Sequence, residues 1–247
     1  MITIKNVRVR YQGVVNALRG VDLTIPQGEI IGLFGENGAG KTTLMKSILG
    51  LIPYEGTIRL DGEPVGTANI GRIAFGTCEH SFYSELSAAA HAEFYRAHFE
   101  TFRERRFQGL MKFFNIPMHR PLQNLSAGQQ NQVEVILALC QGADYILLDE
   151  PFSASDVFNR SDFYKVLTGI LEPDETVILS THLIEEIESL IGRAVLIKDG
   201  KIIDNVSVSE IEEDGQSLTE YVKTAYNYQG DRVGKAIADF EEENTNA

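Results

Sequence analysis

The sequence predicts an α/β fold with a core of mainly parallel strands, an N-terminal antiparallel β-subdomain and an inserted helical subdomain. Three observations predict it. Short continuous apolar runs at residues 30–34, 145–148 and 176–179 mark strands buried on both faces, and helical spacing follows the first two. The first thirty residues alternate instead, as half-buried antiparallel strands do. Residues 84–120 then change texture, turning helical, rich in Ala, Phe and His, and locally basic.

Taken in order, Ile2 and Ile4, Val7 and Val9, then Val21, Leu23 and Ile25 carry the alternation, which stops at Gly28. The run Ile30-Ile31-Gly32-Leu33-Phe34 feeds a glycine-rich turn and a helix to about Leu49. Ile58 and Leu60 share one face of a short strand closed by an Asp61-Gly62 turn. In the inserted part, which with its following helix reaches about residue 140, Pro117 and Pro121 close the basic stretch. Its aromatics Phe94, Phe99, Phe102, Phe107, Phe113 and Phe114 are expected in the core, and Arg103 to Arg106 on a solvated helix face. Ser126 opens the next helix, where Val133, Ile136, Leu137 and Cys140 follow i, i+3, i+4, i+7. After the strand 145–148, Asp156 is placed to cap a helix bearing Phe163, Val166, Leu167 and Ile170 at the same spacing. The third buried strand ends at Ser180-Thr181-His182, and a hairpin follows about Asp199-Gly200. Beyond Asn205 the pattern weakens, and residues 229–247 read as an acidic tail.

Composition narrows the function. The 247 residues fit one large domain or a domain with a subdomain, and 43% hydrophobic with 23% charged residues is ordinary for a globular chain. With 22 Lys and Arg against 35 Asp and Glu, the net charge of −13 opposes binding to a phosphate backbone, so no nucleic-acid partner is expected. Cys78 and Cys140 are too few for a disulfide framework or a four-cysteine zinc site and suit a reducing compartment. The start shows no basic region followed by an apolar run, so no secretory leader is expected. No stretch approaches ~18 uninterrupted apolar residues, so any membrane role is expected to come through a partner.

The chemistry begins at Gly35, Glu36, Asn37, Gly38, Ala39, Gly40, Lys41, Thr42 and Thr43, which match the phosphate-binding loop between a buried strand and a helix. Such a loop turns its backbone N–H groups onto phosphate oxygens at the positive end of the helix. Lys41 is expected to bridge the β- and γ-phosphates of a nucleoside triphosphate and the Thr42 hydroxyl to ligate Mg²⁺. The core is therefore that of a P-loop NTPase. Asp149 and Glu150 end the strand 145–148, at the sheet edge where ligands of open α/β sheets sit. Asp149 is placed to hold a water of the Mg²⁺ shell, and Glu150 to orient the water that attacks the γ-phosphate. His182 reaches the same edge and is a candidate γ-phosphate contact.

Leu125-Ser126-Ala127-Gly128-Gln129 separates this chain from other P-loop proteins, because it resembles the signature sequence of the ABC ATPases. The motifs run in that family's order over residues 2–203, and the chain resembles an ABC transporter nucleotide-binding subunit. The resemblance implies ATP and Mg²⁺ as cofactors, and a domain over residues 1–228 with the helices of about 84–140 inserted. It implies head-to-tail pairing with a second ATP-binding subunit, so that Ser126, Gly128 and Gln129 meet the partner's ATP. Tyr11 matches the aromatic that stacks on adenine, Asp156 lies in the loop facing the opposite subunit, and His182 matches the switch histidine. An integral-membrane permease subunit is the implied second partner, docked by the inserted helices, which places the chain peripherally on the cytoplasmic face of the cell membrane.

The wording of residues 82–86, 125–129 and 180–200 is most similar to bacterial drug, antibiotic-peptide or polysaccharide exporter ATPases. One departure stands out. Cys78 occupies the family's Q-loop position, and a thiol is a poor Mg²⁺ ligand beside a carboxylate or amide oxygen. Either Glu79 takes that metal contact or the contact is weakened. Two other readings compete with a transporter motor: a soluble ABC-type ATPase without a permease, and a regulatory ATP-binding half with weak hydrolysis, against which Glu150 and His182 speak.

Overall fold

A computed structural model of the chain describes residues 1–12, 14–79, 81–151 and 157–227, leaving aside the side chains of 157–160. Asp156 and the tail 229–247 lie outside the described residues. Two sheets organise the rest. Strands β1 (Ile2–Tyr11), β2 (Val15–Ile25), β4 (Glu55–Leu60) and β5 (Glu63–Pro64) form an antiparallel sheet in the order β2-β1-β4-β5. Strands β3 (Ile30–Phe34), β6 (Ile73–Thr77), β7 (Tyr145–Asp149), β8 (Thr176–Ser180), β9 (Arg193–Lys198) and β10 (Lys201–Ser207) form the second, ordered β10-β9-β3-β8-β7-β6. Its five strands from β9 to β6 are parallel, and β10 joins the edge antiparallel through the hairpin.

The central strands are buried on both faces, as their continuous apolar runs require. Side chains alternate between two cores. Ile31, Leu33, Tyr145, Leu147, Ile178, Val195 and Ile197 face the antiparallel sheet and α1 (Lys41–Ile48). Ile146, Leu148, Val177, Leu179, Ala194 and Leu196 face the opposite core, shared with helices α2 (Ala88–His98), α3 (Glu104–Phe113), α4 (Ala127–Cys140) and α5 (Val157–Ile170). Helix α4 starts as its sequence requires. Ser126 Oγ accepts from the backbone N–H of Gln129, and Gln129 Oε1 accepts from the N–H of Ser126. Its Val133, Ile136, Leu137 and Cys140 are all buried.

Two expectations for the inserted helices need correction. Phe107 is buried, but Phe94 and Phe113 are exposed, because α3 turns Phe107, Leu110 and Met111 inward and Phe113 falls on the other side of the helix. Arg103 and Arg106 are not a solvated face either. Arg106 reaches Glu175 at 2.9 Å and the carbonyls of Leu139 and Ile170, while Arg103 pairs with Glu175 at 3.1 Å. These contacts pin α3 to the turn between α5 and β8.

Two helices follow β10 among the described residues, and a short one precedes β9. Helices α6 (Ile184–Ile187), α7 (Val208–Glu213) and α8 (Leu218–Ala225) pack on the second core, and Ser207 with Glu210 and Ser217 with Glu220 form capping boxes. Helices α7 and α8 are too short for periodicity to reveal, although each Ser-x-x-Glu start is legible. No helix among the described residues is long and apolar enough to cross a membrane.

Candidate active site at the strand ends

Strand β3 delivers the loop 35–40 to the start of α1. Gly40 has φ +113°, and a Cβ there would meet the Ala17 carbonyl at 2.8 Å, so the turn demands glycine. No side chain caps α1, whose first N–H groups stay directed into the loop. Lys41 is buried, and its Nζ donates to the carbonyls of Gly35 (2.8 Å) and Glu36 (3.3 Å). Ala39 is buried beneath the loop. Asn37, Gly38, Gly40, Lys41, Thr42, Thr43 and Glu150 line a cavity of about 170 Å³ over it.

The carboxylate pair closes the other side. The Thr42 hydroxyl donates to Asp149 Oδ2 at 2.5 Å, and the Ser180 hydroxyl donates to Asp149 Oδ1 at 2.5 Å. Parallel pairing of β7 with β8 sets Asp149 opposite Ser180 and explains the second contact. Glu150 follows in the left-handed region, φ +46°, a conformation that costs a non-glycine residue about 1–3 kcal/mol. Its N–H donates to Ser180 Oγ at 2.9 Å and to the Ser180 carbonyl at 3.2 Å, which hold it there. The backbone turn aims the carboxylate at two sequence-predicted residues. Glu150 Oε2 lies 3.1 Å from His182 Nδ1, and Oε1 lies 3.9 Å from Lys41 Nζ. That Oε1 is buried with no hydrogen-bond partner, an acceptor aimed into the loop cavity.

Lys41, Thr42, Asp149, Glu150 and His182 thus converge. Tyr11 lies at the rim, its hydroxyl 3.5 Å from Thr43 Oγ1 and its ring partly exposed. Ser126, Gly128 and Gln129 stand apart: among the described residues no hydrogen bond joins them to the loop, and Ser126 with Gln129 is engaged in the α4 cap. Glu79 does not reach the Thr42–Asp149 pair. Its carboxylate pairs with Lys46 Nζ at 2.7 Å, one helical turn beyond Thr42, where an ammonium is a better partner than a hydroxyl. Cys78 is half-buried beside it. The oxygen donors of Thr42 and Asp149 suit a hard cation such as Mg²⁺.

Two residues of the site were not singled out by the sequence. Ser180 orients both acids, and alignment of the ends of β7 and β8 would have found it. Tyr226 had no local signal. It follows α8, and its hydroxyl is shared between the carbonyls of Ile197 (2.9 Å) and Phe34 (3.0 Å), the residue before the phosphate loop. Burial pushes its phenol up to about 12.

Comparison with known proteins places these features. Residues 18–153 match the family model described as ABC transporter. The chain is 30% identical to the ABC transporter ATP-binding protein NatA of Bacillus subtilis (strain 168), over 88% of this chain and 94% of that one. It is also 30% identical to the lipopolysaccharide export system ATP-binding protein LptB of Escherichia coli (strain K12), over 91% and 96%. Among solved structures, an ATP binding subunit of an ABC transporter superposes with TM-score 0.81 at 22% identity, covering 92% of this chain and 99% of that one. The dimeric structure of MJ0796, a bacterial ABC transporter cassette, superposes with TM-score 0.73 at 25% identity, covering 84% and 98%.

Proposed function

The chain belongs to the ABC transporter family, and from that premise we propose that it is the motor subunit of an exporter, driving a separate membrane permease by ATP-dependent head-to-tail dimerisation. It is an ATPase that works on ATP with Mg²⁺. The observation that carries the site assignment is Glu150, strained at φ +46°, whose buried Oε1 accepts no hydrogen bond and faces the Lys41 ammonium at 3.9 Å beside the loop cavity.

In this reading residues 1–228 form the ATP-binding domain. The N–H groups of Gly38, Gly40 and Lys41 and the ammonium of Lys41 receive the phosphates. Thr42 and Asp149 hold Mg²⁺, which when bound neutralises phosphate charge. Glu150 accepts a hydrogen bond from the attacking water and aligns it with the γ-phosphorus. His182, held by Glu150 at 3.1 Å, reaches the γ-phosphate from the β8 side. Tyr11 stacks on the base. Phosphoryl transfer depends mainly on such positioning and charge stabilisation.

Ser126, Gly128, Gln129 and Asp156 complete the site of a second ATP-binding subunit, which accounts for the distance of the signature from its own loop. The dimeric cassette among the structural relatives supports that arrangement. The role of the relative LptB in lipopolysaccharide export supports outward transport. The permease then holds the chain on the cytoplasmic face of the cell membrane.

Paired substitutions test the composite site. Lys41→Ala should abolish ATP binding by the monomer. Ser126→Ala should leave monomer binding intact and lower turnover, because its contact exists only across the closed dimer. Equal losses of monomer affinity in both variants would contradict the arrangement.

A further inference from the structure

A second cavity lies away from the phosphate-loop site. It is an open trough of about 690 Å³ running across the antiparallel sheet, with Arg8, Arg10, Arg19 and Lys201 in its walls. Strand register explains the gathering: Arg8 pairs with Arg19 and Arg10 with Asn16 across β1 and β2, while the β9–β10 turn brings Lys201 alongside. None of these residues lines the cavity over the phosphate loop.

Charge makes the trough unusual. The chain carries −13, yet among the described residues none of these four cations forms an ion pair. Glu55, the one carboxylate in the walls, is the strand partner of Arg8 without a salt bridge to it. Four like charges held together without counter-charge repel one another, and a bound anion relieves that repulsion.

The guanidiniums are also oriented. Arg8 Nε donates to Asn6 Oδ1 at 3.2 Å, Arg10 Nε to Asn16 Oδ1 at 2.9 Å, and Arg19 Nε to the Asn16 carbonyl at 3.5 Å. Each arginine is anchored through Nε to a neutral oxygen, and among the described residues its two terminal nitrogens make no hydrogen bond. Those nitrogens make the planar fork that matches phosphate. Four cationic side chains offer more charge than one phosphate neutralises, and a trough of about 690 Å³ has room for more than one such group.

We propose that this trough is a second anion site, which binds a ligand carrying two or more phosphate groups, with Arg8, Arg10 and Arg19 as its forks and Lys201 as a point charge. The shared chemistry is the phosphomonoester, supplied either by a soluble polyphosphorylated molecule or by a lipid headgroup.

The full chain, saturated with Mg²⁺ and ADP to fill the phosphate loop, is titrated calorimetrically with inositol hexakisphosphate. In parallel it is floated with phosphatidylcholine vesicles with and without phosphatidylinositol 4,5-bisphosphate, whose headgroup carries two phosphomonoesters. Binding of the soluble probe alone assigns a soluble ligand, and flotation only with the bisphosphate lipid assigns a headgroup. In either arm Arg10→Gln and Arg19→Gln should each weaken binding about tenfold or more, and raising the salt should weaken it further. Both positions are exposed, so the variants should fold, as unchanged ADP affinity will report. No binding in either arm, or binding that the Arg8→Gln, Arg10→Gln and Arg19→Gln variants leave untouched, overturns the proposal. ADP affinity and ATPase rate are separate readouts, so failure here leaves the nucleotide site standing.

Discussion

Thr42 and Asp149, 107 residues apart in sequence, share a hydrogen bond of 2.5 Å that ties the start of α1 to the tip of β7. The bond joins the phosphate loop to the carboxylate strand at one pair of oxygen atoms. Metal dependence should therefore be sensitive to this pair and indifferent to Glu79.

Asp149→Asn keeps the shape and removes the charge. The Mg²⁺ concentration for half-maximal ATPase activity should rise by about tenfold or more. Glu79→Ala should leave the Mg²⁺ titration unshifted, because that carboxylate is occupied by Lys46. A shifted curve for Glu79→Ala would return Glu79 to the metal.

Tyr226→Phe tests the contact behind the phosphate loop. The ring stays and one shared hydrogen bond to Phe34 and Ile197 is lost, at a cost of about 1 kcal/mol. Denaturant midpoints should fall accordingly, and ATP affinity should drop several-fold. Unchanged affinity with lowered stability would make Tyr226 a packing residue of α8 alone.

The core of this site was legible because its parts are local. A strand, a glycine-rich turn and a helix follow one another between Ile30 and Ile48, and Asp149 and Glu150 adjoin a run with one possible reading. What connects distant segments was not. Tyr226 reaches Phe34 over 192 residues, and Arg106 reaches Glu175 across the helical insert. Neither contact leaves a periodicity, since each depends on which side chains tertiary packing brings together. The ion pair of Glu79 was hidden for the same reason: its partner Lys46 lies on another element.

Cys140 offers a test by pH. Burial pushes its thiol up to about 12, whereas an unfolded thiol titrates near ~8.5. The neutral thiol's share of stability is present in full below the unfolded value and is lost as pH rises toward the folded one. Stability should therefore decline above about pH 8.5, and Cys140→Ala should flatten that decline. In the native chain a thiol-alkylating reagent should label Cys78, which is half-exposed, and spare Cys140 until unfolding.

The central claim is that Glu150 guides hydrolysis within a site completed by a second subunit. Glu150→Gln retains size and hydrogen bonding while removing the charge that polarises water. The most direct measurement is the sedimentation behaviour of this variant with Mg²⁺ and ATP, alongside its phosphate release. A stable ATP-dependent dimer with turnover lowered by about 10²-fold or more is the predicted result. A variant that hydrolyses at the normal rate and stays monomeric at every ATP concentration would contradict it.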